Sequence, residues 1–193
     1  MKLNFELLKS LTCQQAAEEP MKILIDSINH FTTNLFSNLL KIKDLSGNIM
    51  FSPLSSHLAL VVLMSGARGN TEIQLKSGLG LSTEDGIQSL ISNYGYALGK
   101  TVTRDQLKVE TANKAYLSKK PSNRFNDIIW SLSGEQPSVI DFKKEPEDKV
   151  RGIINEYVKN GTHGKIRNFI SKGIIKRNTA FIIVNALYFK GKT

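Results

Sequence analysis

The sequence predicts an α+β fold in which helices come first and strands and helices then mix. Three observations carry that expectation. Apolar residues recur at helical spacing through much of residues 22–98, a period-two stretch follows at 107–118, and an apolar ribbon lies at 181–189. The ribbon, Phe181-Ile182-Ile183-Val184-Asn185-Ala186-Leu187-Tyr188-Phe189, is apolar at eight of nine positions and does not alternate. Such a run is a strand covered on both faces, central in a sheet. No strand–helix–strand rhythm repeats, which argues against a doubly wound parallel sheet.

Each element has a local reason. Residues 22–42 form an amphipathic helix with Leu24, Ile28, Phe31, Leu35, Leu39 and Ile42 on one face. Asp44-Leu45-Ser46-Gly47-Asn48 is a turn cluster, and Ile49-Met50-Phe51 is long enough for a small strand. Ser52-Pro53-Leu54-Ser55 starts a helix. The Ser52 side chain accepts from a free first-turn amide, and Pro53 suits the first helical position because an N–H there has no partner anyway. Residues 54–64 are apolar nearly all round, so this helix is expected deep inside the fold. Thr71-Glu72-Ile73-Gln74 reads as a capping box opening a short helix that ends at Gly78.

A helix over Glu84–Leu98 places Ile87, Leu90, Ile91, Tyr94 and Leu98 on one face. Val109, Thr111, Asn113, Ala115 and Leu117 mark the period-two strand. Ser122 caps a helix carrying Phe125, Ile128, Ile129 and Leu132, stopped by Gly134. Val139-Ile140-Asp141-Phe142 is a short strand. Pro146 then opens a helix with Val150, Ile153, Ile154, Tyr157 and Val158 inward, ended by Asn160-Gly161.

The 193 residues carry 26 Lys and Arg against 17 Asp and Glu, a formal net charge of +9. The first hundred residues balance, with 8 of each sign, so the whole excess lies in 101–193. From Lys159 onward there are 8 basic residues and no acid. Such a stripe suits a solvated surface or an anionic partner. Aromatic residues do not interleave with the basic ones regularly enough for base stacking, so nucleic acid is not expected as a partner. No run approaches the roughly 18 apolar residues of a spanning helix, and no membrane partner is expected. Cys13 is the single cysteine, which excludes an intrachain disulfide. Asn4, Glu6 and Lys9 interrupt the apolar start, so it reads poorly as a signal peptide.

Enzymatic readings find no support. His30, His57 and His163 sit in no triad-like context, and no Gly-x-Ser-x-Gly elbow is present. No histidines or carboxylates cluster at metal-ligand spacing, and Gly78-Leu79-Gly80 lacks the rest of a dinucleotide fingerprint. Glu145, Glu147 and Asp148 beside Pro146 are first-turn acids favoured by the helix dipole. No catalytic residue, cofactor or metal is assigned. His57 is expected to be a packed or capping histidine. Asn160-Gly161-Thr162 is a glycosylation sequon, which matters only in a secreted chain.

A longer fingerprint is carried by Asn48-Ile49-Met50-Phe51-Ser52-Pro53-Leu54-Ser55-Ser56, Ala59-Leu60, Gly66-Ala67-Arg68-Gly69-Asn70-Thr71 and Gln74-Leu75. It closely resembles the serpin family, in strand 6B and helices B and C. Ala112-Asn113-Lys114-Ala115-Tyr116 resembles strand 2A. Ile154-Asn155-Glu156-Tyr157-Val158 with Thr162-His163-Gly164-Lys165-Ile166 resembles helix F and its exit, with Tyr157 where the family usually has Trp. Val184-Asn185-Ala186-Leu187-Tyr188-Phe189-Lys190-Gly191-Lys192 resembles the end of strand 3A. The family places a Trp where Thr193 stands.

The resemblance implies a fold made of helices A–F with strands 6B, 2A, 1A and 3A, part of a large mixed sheet A. It divides the chain into an extension, 1–24, and a partial serpin domain, 25–193. It implies the family function, serine-protease inhibition by insertion of a cleaved reactive-centre loop, with a serine protease as partner of the complete domain. The match covers about the first half of such a domain, so the loop and strands 5A and 6A are expected to be missing and the chain alone to be non-inhibitory. The alternative is a binding module that pairs through the strand 3A edge with an intact serpin or with itself. Weak binding of a polyanionic sugar ranks lowest, because helix D, a frequent heparin site, falls on Glu84–Leu98, which has no basic residue. Ser52, Pro53, Ser55 and Asn185 fall on the family's shutter, where sheet A opens. Asn185 is expected to be short of a partner, because the family's distant His lies outside the match. The family places such chains outside the cell, with the cytoplasm as the alternative.

Overall fold

A computed structural model describes residues 3–42, 49, 51–82, 90, 91, 94 and 107–191, with side chains from residue 21 onward except at 107–109. The turn at Asp44–Asn48, Met50, most of the helix expected over 84–98, and Lys192 lie outside the described residues.

Helix α1 runs Leu3–Leu39, far longer at its start than the expected 22–42. Residues 3–19 are rich in Leu, Glu, Gln and Ala, whose helix propensity carries the helix back through Pro20. Leu24 is buried, whereas Ile42 lies past the helix end and is exposed. Helix α2, Pro53–Gly66, begins as expected: the Ser52 Oγ accepts from the Ser55 amide at 3.4 Å, with Pro53 in the first turn. It buries Ser55, His57, Leu58, Val61, Val62, Met64 and Ser65. Helix α3, Asn70–Gly78, departs from the expected capping box. It starts before Thr71, its cap is Gly69 at φ 60°, and no side chain caps it. Glycine reaches that backbone without the Cβ clash that other residues meet. Leu90, Ile91 and Tyr94 are helical and buried, as their spacing predicts.

Helix α4, Asn123–Ser133, is capped by Ser122, which accepts from the Phe125 amide at 3.3 Å. It ends at Gly134 in the left-handed conformation. Helix α5, Glu147–Gly161, follows Pro146, with Glu147 and Asp148 in its first turn and Lys159 in its last, both favourable to its dipole. Val150, Ile154 and Val158 are buried, each worth about 1.5–3 kcal/mol by area removed from water. Ile153, expected inward, is instead 45% exposed. The face that α5 turns to the sheet is narrower than the apolar spacing suggests.

The sheet has three strands among the described residues, in the order β2-β1-β3. Strand β1, Leu107–Leu117, pairs antiparallel with β3, Phe181–Gly191, from Leu107 opposite Gly191 to Leu117 opposite Phe181. Strand β2, Ser138–Val139, is shorter than the run at 139–142 suggested and pairs parallel with β1. Two cores flank this sheet. One packs Ala115, Leu117, Phe181 and Ile183 against α1, α2 and α4. The other packs Ala112, Tyr116, Ile182, Val184 and Ala186 against α5 and the segment after it.

The ribbon is therefore a strand between two layers, but only for part of its length. Val184 and Ala186 are buried, whereas Leu187 is 36% and Phe189 61% exposed. Among the described residues β3 is an edge strand, not the central one its composition predicts.

Candidate functional site

Of the four candidate residues, Asn185 sits in the middle of β3. Asn113 and Asn185 stand directly opposite each other on β1 and β3. The Ser118 amide donates to the Ala180 carbonyl at 2.9 Å, which fixes the register of ladder bonds. Even-numbered β3 residues therefore exchange hydrogen bonds with β1, and odd-numbered ones form the alternate, non-bonded pairs. Side chains approach most closely across non-bonded pairs. The Asn185 Nδ2 accordingly donates to the Asn113 Oδ1 at 2.5 Å.

This overturns the expectation that Asn185 would be short of a partner. In place of the distant histidine that the resemblance implies, the amide on the neighbouring strand supplies the acceptor. Asn113 was visible in the period-two strand and the strand 2A motif, but its role follows from register. Its own carbonyl, on the side of β1 away from β3, accepts from the Tyr157 hydroxyl at 3.2 Å. Burial, with the nearby Glu135 charge, pushes the Tyr157 phenol up to about 12, so it remains a donor near neutrality.

Ser52 caps α2, and Ser55 lies in its first turn. The Ser52 hydroxyl donates to the Ser55 hydroxyl at 3.0 Å, in addition to the Ser52 cap of the Ser55 amide. Ser55 is buried, and Ser52 and Pro53 are half-buried. The two serines bond each other, not Asn185. A narrow cavity beside the Asn113–Asn185 pair is walled by Leu58, Ala59 and Val62 of α2 and Ile129 of α4. The four candidate residues thus do not form one hydrogen-bonded cluster.

The same register sets the chemistry of the β3 edge. The N–H and C=O groups of Ile183, Asn185, Leu187 and Phe189 point away from β1, where no described strand meets them. A row of unpaired backbone groups is a template for another extended chain.

A buried network nearby escaped sequence reasoning. The Ser27 hydroxyl donates to the Leu79 carbonyl at 2.6 Å. It accepts from His57 Nε2 at 2.7 Å, because its one proton is already committed. His57 Nδ1 then accepts from the Tyr94 hydroxyl. Phe31 packs edge-on against the imidazole, with ring centroids 5.6 Å apart. Burial pushes the His57 imidazole down to about 4 and the Tyr94 phenol well up. The arrangement looks like a serine–histidine pair, but its protons run from His57 to Ser27 to a carbonyl. Both side chains are at most 1% exposed, so neither nucleophile nor substrate access exists there. The three residues are far apart in sequence and share no spacing signal. At the other end of the sheet, His163 after α5 bonds Glu110 of β1, and its ring lies 4.7 Å from that of Tyr188 of β3.

Comparison with known proteins gives this geometry a family. The model of the Serpin (serine protease inhibitor) family matches residues 26–193. The leukocyte elastase inhibitor of Equus caballus is 36% identical over 174 residues, spanning 89% of this chain and 45% of that protein. Serpin B6 of Macaca fascicularis is 34% identical over 180 residues, spanning 89% of this chain and 46% of that protein. The structure of ovalbumin from emu, Dromaius novaehollandiae, superposes with a TM-score of 0.76 at 26% identity, covering 87% of this chain and 46% of ovalbumin. The chain spans less than half the length of these relatives. On a family match over most of its residues and the shared α+β fold, the chain belongs to the serpin family.

Proposed function

We propose that these residues form the strand-receiving part of a serine-protease inhibitor, and that the 193-residue polypeptide does not inhibit a protease by itself. One observation carries this: the outer edge of β3 presents an unpaired row of backbone groups among the described residues. In the family, the cleaved loop enters sheet A beside this strand. Ser52, Pro53, Ser55 and Asn185 are proposed as the shutter of that sheet. The amide pair across β1 and β3 and the serine pair at the start of α2 support this role, because each satisfies its own polar groups. The test is incubation of the purified chain with trypsin-, chymotrypsin- and elastase-type proteases. The expected outcome is no complex that survives heat and detergent. A stable complex with any of them overturns the proposal.

A second reading is favoured by the exposure of Leu187 and Phe189 beside the same edge. The chain then acts as a binding module that adds an extended segment of an intact serpin, or of a second copy, to β3. An extended reactive-loop peptide should bind it. A chain that remains monomeric at micromolar concentration and ignores the peptide removes this reading.

A further inference from the structure

The segment from Lys165 to Arg177 returns along α5 in the opposite direction, and a ladder of bonds fixes it there. The Ile166 amide donates to the Thr162 hydroxyl at 3.1 Å. Asn155 clamps Ile170 from both sides, accepting from its amide at 2.8 Å and donating to its carbonyl at 3.2 Å. The Gly173 amide donates to Glu147 at 2.5 Å, and Arg177 Nε donates to the Lys143 carbonyl at 3.3 Å. The partners step from the end of α5 to the turn before it, a span of about 22 Å for 15 helical residues. Ile170 and Ile175 are buried as pegs in the α5 core.

These anchors dictate which side chains face outward. Arg167, Phe169, Lys172, Ile174, Lys176 and Arg177 are all exposed, Ile174 to 64%. Arg167 and Arg177 bond only backbone carbonyls, of Gly164 and Lys143, so their charges are not neutralised. Lys172 and Lys176 make no ion pair among the described residues. Of the acids at the start of α5, Glu145 pairs with Lys149 and Glu147 accepts from the Gly173 amide, while Asp148 pairs with Arg151 and also feels the Lys172 charge. The result is a strip of four cations with two large apolar side chains between them and no acid of its own.

We propose that this strip docks on an anionic phospholipid surface. Cations alone would fit any polyanion, but Phe169 and Ile174 have no role against a sulfated sugar. At a lipid interface each component has a place: the cations meet anionic headgroups, and the exposed Phe and Ile enter the boundary below them. No spanning helix is needed for contact of this kind, and among the described residues no helix is long and apolar enough to cross a membrane. The strip belongs to the α5 layer, not to the β3 edge, and does not depend on the inhibitor reading.

The test is co-sedimentation of the 193-residue chain with phosphatidylcholine vesicles, with and without roughly one-third phosphatidylserine, at physiological salt. Binding is expected only to the anionic vesicles. Lys172→Glu with Lys176→Glu should weaken it about tenfold or more, and Ile174→Ser, which leaves the charge unchanged, severalfold. These side chains are exposed, and unchanged melting curves verify that the variants fold. If the double charge reversal does not fold, Arg167→Glu and Ile174→Ser decide the matter. No binding to anionic vesicles overturns the proposal. So does retention on heparin with vesicle binding indifferent to Ile174, which would make the strip a plain polyanion site.

Discussion

His57 gives the fold an acid-sensitive core. It sits fully buried between α1, α2 and the helical residue Tyr94, with Ser27 and Tyr94 as its polar neighbours and Phe31 against its ring. Its Nε2 already donates to Ser27, and its Nδ1 accepts from Tyr94. A second proton must therefore enter at Nδ1, where it faces a donor in a desolvated site. Burial holds the folded imidazole at about 4, against 6.5 when exposed. The folded value is the lower one, so the unfolded chain binds the proton more readily. The stabilisation is thus complete above the unfolded value and disappears as pH falls through 6.5 toward 4.

Between about pH 7.5 and pH 5 this one residue should remove about 2 kcal/mol of stability, since the unfolded state is nearly all protonated at the lower pH and the folded state hardly at all. The assay is urea unfolding at both pH values for the native chain and for His57→Gln, which cannot titrate. The substitution itself will cost stability, but the comparison is of pH slopes, and contributions from carboxylates cancel. The native chain should lose about 2 kcal/mol more than the variant on acidification. Equal slopes would refute the assignment, as would a native chain that gains stability in acid relative to the variant.

Two further perturbations follow from packing. Asn113→Ala or Asn185→Ala leaves one amide of the cross-strand pair unpartnered and should cost about 1–3 kcal/mol. The double variant should cost less than the sum, and additive costs in a thermal double-mutant cycle would deny the coupling. Gly161→Ala places a Cβ 2.5 Å from that of Ala112, where α5 crosses β1. Backbone must shift to admit it, so a loss of about 1–3 kcal/mol is expected in chemical denaturation. An unchanged midpoint would show that α5 does not approach the strand so closely.

What was legible in the sequence was what local chemistry decides. Ser52-Pro53 and Ser122 announced helix starts because a short hydroxyl side chain satisfies a first-turn amide wherever it occurs. Gly134 announced a stop because its backbone is left-handed. The family fingerprint was legible for a related reason, as contiguous motifs. Features set by contacts between distant residues were not. Asn185 looked orphaned because its acceptor is 72 residues away and is assigned only by strand register. Ser27, His57 and Tyr94 meet from three separate segments, and no spacing rule joins them. Composition read the ribbon as central, yet a strand's neighbours are a property of the sheet, and among the described residues β3 lies at its edge. Gly69 displaced the expected Thr71 cap because a free backbone at a tight corner can start the helix two residues earlier than that side-chain hydroxyl would.

Amide hydrogen exchange along β3 tests the central claim most directly. The amides of Ile182, Val184, Ala186 and Tyr188, bonded to β1, should exchange slowly. Those of Ile183, Asn185, Leu187 and Phe189, facing the open edge, should exchange fast and become protected when an extended reactive-loop peptide is added. Equal slow exchange of both sets in the chain alone would mean that the edge is already covered, and would contradict the account.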